Sequence, residues 1–213
     1  MLEPDPPERG PEDVSLVHRL IIPRPACGRA VAIQGCQRIV VIGTTGSGKS
    51  TVAGRLARQL GCPHVELDAL HWEPGWVQAP TDVFRTRVAA ALAGERWVVD
   101  GNYHRARDLI WPRADTLIWL DLPLATVMVS LWRRTWRRVL RAEPLWNGNR
   151  ERLATQFFRR DSIFLWALTT HRRHRREWAA ALSAPEYRHL RVVRLRSRRE
   201  LAAVLGRTWP PAG

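Results

Sequence analysis

Residues 43–50 read GTTGSGKS, a glycine-punctuated turn between the apolar run RIVVIG at 38–43 and the segment TVAGRLARQLG at 51–61. The run has the β-branched content of a buried strand. Val52, Leu56 and Leu60 of the following segment fall on one face of a helix that Gly61 ends. Gly43, Gly48, Lys49 and Ser50 satisfy GxxxxGK[ST], the Walker A pattern, in the strand-to-helix setting that turns the pattern into a phosphate-binding loop. Gly43, Gly46 and Gly48 let successive backbone N–H groups turn inward with no Cβ in the way, an anion nest at a helix N-terminus. The expected nucleotide-binding set is therefore Gly43, Thr44, Thr45, Gly46, Ser47, Gly48, Lys49, Ser50 and Thr51. Lys49 would reach the β and γ phosphates of ATP, and the Ser50 hydroxyl would ligate Mg2+.

Composition sharpens the reading at one position. Of the 34 basic residues, 33 are arginine, and Lys49 is the sole lysine of the 213-residue chain. A compact ammonium fits among backbone amides beside phosphates where a planar guanidinium fork does not. The rest of the chain continues the alternation that such a loop demands. Strands are expected at 64–68, 96–100, 115–121 and 191–195, and helices at 82–93 (capped by Thr81), 124–141, 150–182 and 198–206. The stretch 69–80 reads as loop, and 1–36 as a proline-rich, partly disordered extension. Short apolar strands separated by helices argue for a parallel sheet covered on both faces, in a single domain over 37–207 with a tail at 208–213.

No run approaches the roughly 18 uninterrupted apolar residues of a membrane helix, and the acidic, proline-rich start lacks the form of a signal peptide. A cytoplasmic protein is expected, with Cys27, Cys36 and Cys62 as reduced thiols and a monomer favoured. The net charge of +14 is polarised: residues 133–199 hold 19 basic and 5 acidic side chains, whereas residues 1–132 hold 14 of each. Such a segment can grip an anionic partner of any kind, including a nucleotide triphosphate, an RNA or an acidic membrane surface. In the 124–141 helix the arginines are expected to face away from Val127, Leu131 and Trp132. The segment 133–152, with Arg134 and Arg138 as its candidate catalytic residues, reads as a short lid over the triphosphate.

Asp68 and Asp100 end strands, where an open parallel sheet gathers its ligands; either can hold Mg2+ through water or take the proton of an attacking hydroxyl. Asp121 reads as a strand-ending structural residue. His171 and His174 stand three apart, but the arginines flanking them oppose a metal role. Trp72 and Trp76 lie in the 68–94 region where an acceptor would enter, and can stack on a flat substrate.

GTTGSGKST, LDALHWEPGW, WVVDGNY, DTLIWLDLP and NGNRE, spaced as they are over 38–205, resemble the adenylate-kinase-like P-loop kinases. The resemblance is to the small bacterial proteins described as adenylate kinase-like or as DNA topology modulation proteins. It implies an α/β P-loop NTPase fold of the nucleoside-kinase type, a five-stranded parallel sheet of order 2-3-1-4-5 with helices on both faces. It also implies ATP and Mg2+ as cofactors, Mg2+ held by Ser50 and, through water, by Asp100, and phosphoryl transfer to a small acceptor. His104 stands where nucleoside monophosphate kinases carry an acceptor-phosphate arginine, so Arg105 or Arg107 would have to substitute. Glu66 with Asp68 resembles the acidic pair of shikimate-kinase-like relatives, which points to a small hydroxylated acceptor as the other choice. A nucleotide-regulated nucleic-acid-binding protein using 133–199 is the rival reading.

Overall fold

The computed structural model describes residues 36–141, 147 and 163–206, side chains excepted at 138–141 and 163–167. Five strands form one parallel sheet: β1 (Arg38–Gly43), β2 (His64–Glu66), β5 (Trp97–Asp100), β6 (Thr116–Leu120) and β7 (Arg191–Leu195). Their order is β2-β5-β1-β6-β7, which is 2-3-1-4-5 when these five alone are counted. The register Glu66↔Asp100 brings the carboxyl ends of β2 and β5 level, and β1, with Val41 opposite Asp100, runs two residues further to Gly43. A separate antiparallel pair joins β3 (Trp72–Glu73) to β4 (Val77–Gln78).

The helices are α1 (Lys49–Leu60), α2 (Leu67–His71), α3 (Thr81–Ala91), α4 (Arg107–Ile110), α5 (Leu124–Arg141), α6 (Ile163–Leu182) and α7 (Arg198–Leu205). The inner strands β1, β5 and β6 are near-continuous apolar runs because both faces are covered, whereas the edge strands β2 (HVE) and β7 (RVVRL) carry polar residues. Val40, Ile42, Val99, Leu117 and Trp119 meet Phe84 and Val88 of α3 and Trp178 and Leu182 of α6. Val41, Val98 and Ile118 meet Val52 and Leu56 of α1 and Leu201 and Val204 of α7. α7 begins with reciprocal capping: the Ser197 hydroxyl accepts from the Glu200 N–H at 3.1 Å, and the Glu200 carboxylate accepts from the Arg196 N–H at 2.7 Å. No described helix is long and apolar enough to cross a membrane.

Several local expectations change. β2 stops at Glu66, and Asp68 sits in the first turn of α2, because Leu67 and His71, four residues apart, are both buried on one helical face. The expected loop 69–80 contains most of α2 and the β3–β4 hairpin, whose turn uses positive φ at Gly75 and Trp76. Thr81 is the first helical residue of α3, not its cap; extended Pro80 precedes it. Residues 104–113, given no element from sequence, form two 3-10 turns around α4 and bury Ala106, Ile110 and Trp111. On α5 the buried stripe is Val127, Leu131 and Thr135, four residues apart, whereas Trp132 is 49% exposed and meets Trp136 edge to face. The proposed extension 1–36 (apart from Cys36), the stretch 150–162, most of the lid beyond Arg141 and the tail lie outside the described residues.

Candidate active site

The loop from β1 to α1 is held from three sides. Asn102, just past β5, clamps Gly43 with both ends of its amide: its Oδ1 accepts from the Gly43 N–H at 3.3 Å and its Nδ2 donates to the Gly43 carbonyl at 2.7 Å. Thr44 Oγ1 lies 3.1 Å from His171 Nδ1 of α6, both residues buried. Gly46, at φ 83°, packs so close to α5 that a Cβ there would stand 2.9 Å from the Leu131 Cβ. α1 then starts from Gly48 in the left-handed region, with no side-chain cap and no acidic residue in its first turn. Its leading N–H groups, which have no intrahelical acceptor, and its positive dipole end are left for an anion. Ser47 Oγ is buried with no hydrogen-bond partner among the described residues, an orphaned donor in the same loop. Thr45 is half-buried, and Ser50 and Thr51 are exposed.

Lys49 folds back over this loop, its Nζ donating to the carbonyls of Gly43 at 2.8 Å and Thr44 at 3.3 Å. Burial pulls its ammonium below the usual lysine range; the carboxylates of Asp68 and Asp100 act in the opposite direction, and Arg134 adds to the lowering. The structure thus brings Lys49, Asp68, Asp100 and half-buried Arg134 into one electrostatic neighbourhood. The side chain of Arg138 lies outside the described ones.

Asp100 ends β5 with its carboxylate 5% exposed. Its Oδ2 accepts from the Ser50 hydroxyl at 2.6 Å, and its Oδ1 lies 2.9 Å from His64 Nε2. Asp68 approaches from α2, and its Oδ1 accepts from the Tyr103 hydroxyl at 2.6 Å. Burial first, and the neighbouring Asp68 carboxylate second, push the Tyr103 phenol far up, so it stays a donor. Gly101 makes the turn between these groups: at φ 141° its Cβ would lie 2.7 Å from that of Leu67. Beside it a narrow cleft, with about 10 Å³ of room, is lined by Leu67, Tyr103, Arg107, Trp111 and Trp178 among others. That is space for one water. Arg107 lies over the Trp111 ring at 4.8 Å, and burial lowers its pKa. Arg105, the other substitute considered, is exposed and reaches Thr81 Oγ1 at 3.4 Å.

Other candidates have defined surroundings. Trp72 and Trp76 pair edge to face at 5.6 Å near the hairpin turn. Asn147 of the expected lid donates to the Trp72 carbonyl of the expected acceptor region. His174 stacks on Trp178 at 5.1 Å. Asp121 is fully buried and bound by Arg175 and Arg194, each at 2.7 Å, which is a structural arrangement. Sequence reasoning missed His64, Asn102, Tyr103 and the tie from His171 to Thr44. The alternation of His64 with Glu66, and the GNY turn after Asp100, were the available signals.

The strand order, with a phosphate loop leading from the central strand into α1, defines an α/β P-loop NTPase fold of the nucleoside-kinase type. No protein-family model matches the chain, and no curated protein does. Among solved structures it is similar to a gluconokinase from Sinorhizobium meliloti 1021, at 22% identity and a TM-score of 0.43 over 80% of this chain and 92% of that one. It is also similar to shikimate kinase from Bacteroides thetaiotaomicron, at 16% identity and a TM-score of 0.44 over 81% of this chain and 96% of that one.

Proposed function

We propose that the protein is an ATP- and Mg2+-dependent kinase that transfers a phosphoryl group to a small acceptor, a nucleotide or a small hydroxylated metabolite. The observation that carries this reading is the 2.6 Å hydrogen bond from Ser50 to Asp100 at the uncapped start of α1. A serine that donates its proton to a buried carboxylate turns its oxygen lone pairs outward, as a hard cation requires. Ser50 would hold Mg2+ directly and Asp100 through water; Mg2+ would supply charge neutralisation across the β and γ phosphate oxygens. The loop amides and the orphaned Ser47 hydroxyl suit phosphate oxygens. Lys49 exchanges its two carbonyl acceptors for the β and γ phosphates, a stronger, charge-assisted pairing.

The acceptor lies in the 68–94 region, with Trp72 and Trp76 beside it. As its oxygen bonds to the γ phosphorus, the bond to the bridging oxygen breaks and ADP leaves. Where the acceptor is a hydroxyl, its proton passes to Asp68, which Tyr103 holds by one oxygen, leaving the other to act; a phosphate acceptor has no such proton to lose. Arg134, with Arg138 from the lid, stabilises the transferring group. Isothermal titration with ATP and Mg2+, followed by a screen of nucleoside monophosphates, sugars and hydroxy acids for acceptor-dependent ADP release, tests this. Lys49→Ala is expected to lose about 100-fold or more in turnover. A folded wild type that gives no heat with ATP and Mg2+ overturns the reading.

A second reading draws on the exposed arginines Arg133 and Arg137 of α5 and Arg172, Arg173 and Arg176 of α6. A nucleic-acid-binding protein would show DNA or RNA affinity that falls steeply with salt and survives Lys49→Ala.

A further inference from the structure

β2 and β5 run parallel with Glu66 level with Asp100 and His64 level with Val98. Successive strand residues alternate faces, so His64, Glu66, Val98 and Asp100 all stand on the face that α1 covers. From there the His64 ring reaches diagonally forward and places Nε2 2.9 Å from Asp100 Oδ1. An ionised carboxylate only accepts, so Nε2 carries the proton in this contact. The ring's other nitrogen lies 3.9 Å from Glu66 Oε1, and a Cβ on Gly54 of α1 would come within 3.4 Å of it. The imidazole is therefore wedged between the sheet and the helix that carries Lys49 and Ser50.

We infer that His64 is a positioning residue for the phosphoryl-transfer site, fixing the Asp100 carboxylate so that its Oδ2 faces Ser50 and the water of the Mg2+ shell. The inference rests on the kinase reading above. The Asp100 side chain is only 5% exposed, so bulk solvent is a poor replacement for the Oδ1 bond. Without the Nε2 proton, one carboxylate oxygen loses its donor, and the side chain is free to rotate away from Ser50. Partners that orient the groups around a metal commonly change its affinity by roughly 10–100-fold when removed.

The test compares wild type with His64→Ala, His64→Gln and His64→Leu by isothermal titration, with ATP in EDTA and with ATP across a Mg2+ series. Glutamine presents an N–H near the place of Nε2; leucine keeps comparable bulk without a donor. Binding of ATP in EDTA is expected to stay within about twofold for all four proteins. The Mg2+ concentration for half-maximal enhancement of ATP binding is expected to rise about tenfold in His64→Leu and His64→Ala and to recover to near wild type in His64→Gln. Should His64→Ala fail to fold, the glutamine and leucine variants decide. Equal Mg2+ dependence in these two overturns the positioning role while leaving the kinase reading standing. A wild type with no Mg2+-dependent ATP binding overturns both.

Discussion

Asn102 does for Gly43 what a neighbouring strand does for a strand residue: it satisfies both the N–H and the C=O of one peptide unit, through a side chain 59 positions away. The loop's first residue is thereby fixed to the end of β5, next to Asp100. Asn102→Ala leaves the partly buried Gly43 N–H without its acceptor and lets the loop shift relative to the Ser50–Asp100 pair. Affinity for ATP with Mg2+ is expected to fall about tenfold, or about 1.4 kcal/mol, beside a loss of folding stability on the order of 1 kcal/mol. Titration calorimetry beside a melting curve checks it; unaltered affinity would show that the clamp does not set the loop's conformation. Gly43, Lys49 and Ser50 could be read from sequence because a single eight-residue stretch carries them, and Asp100 because strand ends are recognisable. For Asn102, Tyr103 and His64 the GNY turn and the alternation at 64 and 66 were signals without a partner, since each acts on a group brought near only by the sheet: Tyr103 on Asp68, 35 positions away, and His64 on Asp100, 36 away.

At the scale of elements, Asp121 is the joint between β6, β7 and α6. Its carboxylate is closed to solvent and receives Arg175 of α6 and Arg194 of β7, whose guanidinium also lies 4.1 Å over the Trp119 ring. Removing the carboxylate strands two half-buried cations, Arg194 at 21% and Arg175 at 42% exposure. Asp121→Ala is expected to cost about 3 kcal/mol in urea unfolding, the scale for breaking a buried ion pair on one side. A loss below about 1 kcal/mol would mean that solvent already screens the arginines. α6 also bears His171 against Thr44, so the same variant loosens the phosphate loop from behind. The strand-ending role of Asp121 was readable in DTLIWLD, but its two arginine partners were not. β1, β6, β7 and the whole of α5 were likewise readable, because each is a long run of one period. α4 with its flanking turns was not: ten residues holding three short helical pieces have no repeat, and their burial comes from packing against α3 and α6.

Over the whole molecule, three histidines share a direction. Burial is the leading cause that lowers the pKa of His71, His171 and His174 from the ordinary 6.5; Arg105 adds to it at His71, Arg175 at His171, and Arg173 and Lys49 at His174. Below that value the unfolded chain takes up protons that the folded chain refuses. The contribution to stability is therefore intact above pH 6.5 and is lost as pH falls toward the folded-state values. The urea midpoint is expected to drop between pH 7.5 and pH 5.5, with a slope bounded by about 1.4 kcal/mol per pH unit for each histidine. Asp108, whose pKa is lowered first by its hydrogen bond to Arg85, acts below 3.8 and does not enter this window. The net charge of +14 offers a competing cause, since every added proton also raises the repulsion of a basic chain. Salt separates the two. At 0.5 M salt the long-range repulsion is largely screened, while the cost of charging a buried imidazole remains. The slope should persist there and become shallower by one histidine's share in His171→Asn, which keeps a polar partner for Thr44 and does not titrate. A slope that vanishes with salt would assign the acid sensitivity to net charge instead.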